Sequence, residues 1–411
     1  MEYKTIKLKF GKERALIDGN RWIFSGAIDS WPEDLSNGEL VQVISANNSP
    51  VGFGYANPRN SIAVRLLSFG TNNPIEELNR SILNAFNLRA KLFLPTLNNQ
   101  DSQINAFRLI NSEADGVPGL IADFYKNIIV IQSGTKGVDK LKDKITQFIV
   151  QNWQEVFKGV SIDCVYEKSG SQSRAVEQLE STNGILWQSD NFNSEMLNCE
   201  ITEYGTKFIV PIETGHKTGA YLDQREMRNF VSKIAQAKNV LNCFSYTGGF
   251  SLKALAGGAF HVTSVDMSET ALNLISPQIE LNNLEKERNV NVKSDVLEYL
   301  KNNDLDKFDL IILDPPAFAK SRKDVEPAVR MYSRLNSEIF RKAKMGTILL
   351  TCSCSHFVDQ RLFETTIFKA ARRYGKRLKI ISRFIQPPDF VIDPAHPGNE
   401  YLKCLVVEVT N

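Results

Sequence analysis

Cysteine and histidine are scarce in this chain. Six cysteines and four histidines in 411 residues form no Cys-x-x-Cys pair and no Cys/His spacing suited to zinc, which excludes a disulfide framework and a structural metal cluster. No metal is therefore expected. No apolar run reaches the roughly 18 residues of a membrane-spanning helix, and Met1 to Phe10 alternates lysine with apolar residues where a signal peptide would be continuously apolar. The protein is expected to stay in the cytoplasm, away from membranes. An excess of one charge is missing too: 49 Lys and Arg face 47 Asp and Glu, a formal charge of +2. Net charge thus demands no nucleic-acid partner, although local basic faces could serve one. The chain also lacks the Gly-x-Gly-x-x-Gly of dinucleotide sites and the Gly-Lys-Ser/Thr of a P-loop.

What is present is a folding composition, 42% hydrophobic and 23% charged, long enough for two or three domains. Over residues 1–72 the pattern is of short strands (Tyr3–Phe10, Glu39–Ile44, Val51–Tyr55, Ile62–Leu67) broken by Gly, Pro and Asn, which predicts a small β-barrel. Its Arg14, Arg21 and Trp22 are candidates for an RNA-binding surface. Helical spacing over 75–93 and 138–157, with strands at 106–111, 119–124, 127–132 and 163–167, predicts an α+β domain over 75–195. Its Asn111–Gly116 stretch holds two acids and reads better as a capped turn than as an acidic site. After a hairpin near 201–211, continuous apolar strands alternate with helices to residue 374, so 196–411 is read as a doubly wound α/β domain with a parallel sheet.

In such a sheet, ligands bind beyond the carboxyl ends of the strands. The first strand runs into Asn242-Cys243-Phe244-Ser245-Tyr246-Thr247-Gly248-Gly249-Phe250, where adjacent glycines let a ligand approach the backbone. The second ends in Asp266, placed to accept ribose hydroxyls. The third is followed by Asp295 and Val296, where the acid could meet an adenine amino group or cap a helix. Together these indicate an adenosine-containing cofactor. The fourth gives Asp314-Pro315-Pro316-Ala317-Phe318, a rigid turn that presents an acid able to hold a planar base by its edge. The fifth gives Thr351-Cys352-Ser353-Cys354-Ser355-His356, two thiols two residues apart that strand alternation would put on one face.

Tyr246-Thr247-Gly248-Gly249-Phe250, Asp314-Pro315-Pro316 and Ser353-Cys354-Ser355 resemble a class I S-adenosylmethionine-dependent methyltransferase of the family that makes 5-methylcytosine in large-subunit ribosomal RNA. The resemblance covers nearly the whole chain. Trp22–Ile28 and Gly52–Pro58 resemble that family's RNA-binding PUA domain, Arg108–Leu120 its central domain, and Lys217–Arg225 the approach to its cofactor site. It implies S-adenosylmethionine as cofactor and ribosomal RNA as partner, and a homodimer is compatible with the sequence. Phe244, Tyr246 and Gly248 would line the methionine end of the cofactor, Asp266 would hold its ribose, Asp295 and Val296 would flank its adenine, and Gln224 would close the pocket. Asn242 stands where many such enzymes carry an acid that orients the methionine amino group.

The same resemblance implies a thiolate mechanism. A cysteine adds to carbon 6 of cytosine and makes carbon 5 nucleophilic, with Asp314 on the cytosine edge. Cys354 fits the Ser-Cys-Ser register better than Cys352, which stays the second choice. Other 5-methylcytosine RNA enzymes have a second cysteine where this chain has Pro316. The Asp-Pro-Pro-Ala-Phe turn also resembles enzymes that methylate exocyclic amines of guanine or adenine without a cysteine, which is the alternative reading. Lys320, Arg322 and Lys323 follow that turn and are candidates for phosphate contact.

Overall fold

The computed structural model describes residues 3–97, 103–170 and 172–411, so Met1 and Glu2 of the first expected module lie outside the described residues. Contacts divide the chain into two compact units. The first comprises Met1–Gly205, Ile209–Leu222 and Pro388–Asn399; the second comprises Thr206–Phe208, Asp223–Pro387 and Glu400–Asn411.

The first unit opens with a six-stranded sheet: β1 (Lys4–Leu8), helix α1 (Arg14–Ile17), β2 (Trp22–Phe24), β3 (Ile28–Ser30), β4 (Glu39–Ile44), β5 (Pro50–Ala56) and β6 (Ile62–Phe69), in the order β2-β6-β5-β4-β1-β3. Alternation along β4 sends Val41 and Val43 inward, where they meet Ile6, Val64 and Leu66. Then come α2 (Pro74–Leu97), β7 (Ala106–Asn111), β8 (Leu120–Tyr125), β9 (Ile128–Ser133), α3 (Lys136–Val156), β10 (Cys164–Ser169), α4 (Gln172–Val176) and β11 (Thr182–Gln188). These strands form a second sheet in the order β11-β10-β9-β8-β7. Its core is aromatic: Phe86 of α2 and Trp153 of α3 pack edge to face, and Trp153 stacks on Phe124 of β8 at 5.1 Å. The three-residue strands β2 and β3 and the seven-residue β11 were not foreseen. A hairpin of β12 (Asn198–Glu203) and β13 (Thr206–Pro211) follows.

The Asn111–Gly116 stretch is the turn that the sequence suggests. Arg89, fully buried on α2, makes two bonds to Asp115 (2.6 and 2.8 Å), and Asp115 also accepts the Asn111 N–H (2.6 Å). Glu113 accepts the Trp22 indole N–H at 3.0 Å. The segment Pro388–Asn399, late in sequence, belongs to this unit as well. Asp389 accepts the backbone N–H of Arg108 (2.8 Å), and the Phe390 ring lies 4.2 Å from the Arg108 guanidinium.

The second unit is α5 (Arg225–Ile234), β14 (Asn239–Cys243), α6 (Gly249–Ala256), β15 (His261–Asp266), α7 (Glu269–Asn273), α8 (Ile275–Leu281), β16 (Asn289–Lys293), α9 (Val296–Asn302), β17 (Leu310–Leu313), α10 (Val325–Lys342), β18 (Ile348–Ser353), α11 (Gln360–Arg372), β19 (Arg377–Phe384) and β20 (Lys403–Thr410). The seven strands run in the order β16-β15-β14-β17-β18-β20-β19, with β20 antiparallel to both its neighbours. The parallel part matches the doubly wound expectation. Leu241, Ile311 and Leu349 are fully buried at the sheet centre, each worth about 1.5–3 kcal/mol of burial. Between β15 and β16 the chain forms two short helices, α7 and α8. Pro277 in the first turn of α8 has no N–H to donate backwards, so the hydrogen-bond ladder breaks there.

Removing one partner of a buried ion pair strands the other. Asp115→Ala should therefore destabilise the first unit by about 3–5 kcal/mol in a denaturant titration. Cofactor affinity of the second unit should not change; an acid serving a ligand site would give the opposite pattern.

Candidate active site

Strand order reverses at β14, which pairs with β15 on one side and β17 on the other. This is the topological switch point, where a ligand cleft is expected beyond the strand ends. The loop leaving β14 is tightly wound: Phe244, Tyr246 and Gly248 all have left-handed backbones, with φ of 60°, 48° and 80°. Two of these three are not glycine, a strain of about 1–3 kcal/mol each that persists where the surroundings enforce it. Part of that enforcement comes from Asp266 at the end of β15. Its Oδ2 accepts the Tyr246 N–H (2.8 Å) and its Oδ1 accepts the Ser268 N–H (2.9 Å). The cap of α7 is Ser268, whose hydroxyl accepts the Ala271 N–H, so Asp266 does not serve as that cap. Each of its oxygens keeps a lone pair for a ribose hydroxyl.

Asn242 is fully buried. Its amide donates to Ser251 (2.9 Å), whereas Oδ1 has no donor among the described residues. A buried acceptor left so costs about 1–3 kcal/mol, which a donor on a ligand would recover. Beyond it, Gly248 sits at the amino end of α6, where the backbone N–H groups are unpaired within the helix. Asp295 is the N-cap of α9, accepting the Glu298 N–H at 2.9 Å, and lies exposed beside buried Val296. Capping occupies Oδ1 and leaves the rest of the carboxylate outward. An orphaned acceptor, a ribose-competent acid and a strained glycine turn together fit an adenosine-containing cofactor.

On the other side of the switch point, Asp314 follows β17 and accepts a 2.5 Å bond from the Gln224 amide. The two thiols separate here. Cys352 lies inside the ladder opposite Cys404, fully buried with its sulfur 3.9 Å from Met227, and burial pushes its thiol well above the ordinary range. Strand alternation suggests that both thiols share a face, but β18 ends at Ser353. Cys354 therefore leaves the sheet, half-buried, with its sulfur 4.0 Å from the Pro315 carbonyl.

Sequence reasoning missed what holds this corner together. The Ser355 hydroxyl accepts the N–H groups of Phe318 and Ala319 (3.1 Å each) and bonds the Tyr332 hydroxyl (2.9 Å), which also receives Ser353 (2.9 Å). One serine thus joins the Asp-Pro-Pro turn to the cysteine loop. Lys403 of β20 was missed too. Its buried amine donates to the Ser355 carbonyl at 2.8 Å, and burial pushes its ammonium down to about 8. The available signal was a lysine opening an otherwise apolar run, Lys403–Val407. His356 is exposed and edge-on to Phe357, with burial and then Lys403 holding its imidazole below its usual value.

Lys320, Arg322 and Lys323 are exposed and make no ion pair among the described residues. In the first unit Arg14 is exposed, and Arg21 and Trp22 are half-buried. One Arg21 guanidinium nitrogen donates to the carbonyls of Leu66 and Leu67, and the Trp22 indole donates to Glu113.

Residues 181–406 match the family model of S-adenosylmethionine-dependent methyltransferases, and residues 6–69 match a PUA-like domain. Proteins named Ribosomal RNA large subunit methyltransferase I are similar over nearly the full length of both chains. The one from Alteromonas mediterranea is 35% identical over 98% of this chain and 98% of its own, and the one from Vibrio vulnificus 36% over 98% and 99%. A solved structure from Streptococcus mutans, described as a S-adenosylmethionine-dependent methyltransferase, has the same fold. It aligns over 98% of this chain and 100% of that one, with a TM-score of 0.77 at 22% identity.

A Cβ at position 248 would stand 2.7 Å from Ile275 and impose a left-handed backbone on an L-residue, at about 1–2 kcal/mol. Gly248→Ala should lower folding stability by at least that amount and weaken S-adenosylmethionine binding about tenfold, as read by calorimetry.

Proposed function

This chain belongs to the S-adenosylmethionine-dependent methyltransferase family, and from that premise we propose that it methylates carbon 5 of a cytosine in large-subunit ribosomal RNA through a covalent adduct with Cys354. One observation carries the reading: of the six cysteines, only Cys354 is not buried, and it sits against the Asp-Pro-Pro turn. A thiol sealed in the sheet, as Cys352 is, cannot meet a base. The RNA substrate rests on the names of the full-length relatives, on the PUA-like match and on the unpaired cations of the turn.

Bound S-adenosylmethionine supplies an electrophilic methyl group. Phe244, Tyr246 and Gly248 would shape the pocket for its methionine end. Asp266 would hold its ribose, Asp295 and Val296 its adenine edge, and the orphan oxygen of Asn242 would accept from its ammonium. Gln224 fixes Asp314, which holds the cytosine edge and supports charge at the ring nitrogen while the Cys354 sulfur bonds to carbon 6. Methylation of carbon 5, loss of its proton and expulsion of the thiolate complete the cycle. Lys320, Arg322 and Lys323 would attract the phosphate backbone.

Three measurements test this reading. Ribosomal RNA lacking the modification, incubated with the protein and methyl-labelled cofactor and digested to nucleosides, should yield labelled 5-methylcytidine. A labelled guanosine or adenosine derivative would instead establish the amine-directed reaction. Cys354→Ala should lose methyl transfer to background with cofactor affinity intact, while Cys352→Ala keeps activity within a few-fold; the reverse pattern would transfer the role. Replacing Lys320, Arg322 and Lys323 by Gln should flatten the plot of log affinity against log salt by about 2 to 3, near the slope expected for three phosphate contacts.

A further inference from the structure

A buried lysine beside a proposed nucleophile needs an explanation, because an ammonium taken out of water is costly unless it is paired or does chemistry. Lys403 is 5% exposed. No carboxylate among the described residues lies within ion-pair distance of its amine, which donates to one backbone carbonyl, that of Ser355. Its position is set by the ladder. Lys403 opens β20, and its partner across to β18 is Ser353. The side chain therefore starts opposite the residue before Cys354 and ends on the carbonyl of the residue after it. It thus spans the backbone of both chain neighbours of Cys354.

We propose that Lys403 is the positioning residue that holds Cys354 as a thiolate. The Lys403 ammonium lowers the cost of ionising the neighbouring thiol: the S–H bond breaks, its electron pair stays on sulfur, and the proton passes to solvent at half-buried Cys354, leaving a thiolate near a cation already in place. The sulfur is then ready to bond to carbon 6, and the ammonium stays on the Ser355 carbonyl. This assignment rests on the thiolate reading of the reaction.

The surroundings agree with this role. Burial brings the Lys403 ammonium down to about 8, close to an ordinary thiol, and Cys354 is the first charge partner that opposes that fall. Glu400 and Asp359 add smaller support for the cation from the loops before β20 and before α11. His356 faces the same amine and is held neutral partly by it. On the other side, Cys354 acts on Tyr332 of α10 and on Cys352 of β18, both of which burial keeps protonated. Among these groups Lys403 is the cation, so it is the one that can stabilise negative sulfur.

The test is the pH dependence of Cys354 alkylation by iodoacetamide in the full-length protein, followed by intact mass, with Cys354→Ala as the blank. The five other cysteines are buried and should stay unlabelled. In the unmodified protein the alkylation midpoint should lie at least one pH unit below the roughly 8.5 of a free thiol. A wild-type midpoint at or above that value overturns the proposal without any variant. Lys403→Met should raise the midpoint by one unit or more, and Lys403→Arg should restore most of the shift. Bound S-adenosylmethionine, measured by calorimetry, reports that each variant is folded. An unchanged midpoint in folded Lys403→Met also overturns it, because a lysine that only packs would leave the thiol's titration alone. In methyl transfer, Lys403→Met should lower kcat at neutral pH with the KM for RNA unchanged and should recover part of the loss at high pH. The nucleoside product separates the two proposals. A shifted midpoint with no 5-methylcytidine formed refutes the cytosine reading and leaves the Lys403–Cys354 pair standing.

Discussion

The chemistry of this site depends on where each strand of one ladder stops. Cys243 of β14, Leu313 of β17 and Thr351 of β18 are level in the parallel register. One residue further on, Phe244 and Asp314 have left the sheet, but Cys352 has not, because β18 continues its pairing with β20 as far as Ser353. A two-residue difference in strand length therefore decides which thiol is sealed and which is presented. It also fixes the height of Cys354 relative to the Asp-Pro-Pro turn, and Ser355 then ties the two loops through paired backbone bonds. Loop positions clamped by a rigid scaffold in this way suit the proposed addition of a thiolate to a ring carbon, since misplacing the reacting atoms by about 1 Å can cost on the order of a hundredfold in rate.

The parts of the fold legible in the sequence are those whose partners are close in sequence or whose burial is complete. The runs that become β14, β15, β17 and β18 are largely buried and lack a simple in-out alternation because both faces are covered, and this pattern needs no knowledge of the partner strand. The strands that went unread have the opposite character. β19 is an edge strand with alternating exposure and basic outward positions, so its composition resembles a surface loop. β20 lies beyond a proline-rich stretch, and its pairing between β18 and β19 is nowhere encoded locally. The segment Pro388–Asn399 extends the point. Asp389 is buried by contact with Arg108, nearly three hundred positions earlier, and no periodicity announces that.

The same distinction runs through the site. Asp266, Asp314, Cys354 and the glycine turn could be picked out because each follows directly on a readable strand. Lys403 could not, because its value comes from an antiparallel neighbour. Arg21 and Trp22 illustrate a related point: a basic and an aromatic residue on a small β module suit RNA, and their internal partners Leu66, Leu67 and Glu113, in β6 and in the next module, are not visible in composition. Composition can mark a residue as capable of a contact. Whether a side chain is already spent on another is a property of the assembled unit.

Under the proposed thiolate reaction, the environment of Cys354 also bears on how the covalent adduct would end. The resemblance to other 5-methylcytosine RNA enzymes breaks at Pro316, where they carry a cysteine for product release. Cys352 is no replacement, being buried opposite Cys404 with its thiol held protonated. Release must then depend on how well the Cys354 sulfur leaves carbon 6 unaided. A sulfur whose thiolate is stabilised leaves faster, at the cost of some nucleophilicity, because attack weakens only with a Brønsted slope of about 0.4–0.5 as the thiol becomes more acidic. A cation held beside the Cys354 backbone would therefore act on both halves of the proposed cycle. It raises the fraction of thiolate at neutral pH for attack and lowers the barrier to expulsion. On the proposed reaction, the buried lysine and the missing second cysteine have one physical explanation: a single thiol both attacks and leaves, and its surroundings favour the charge it carries in each case.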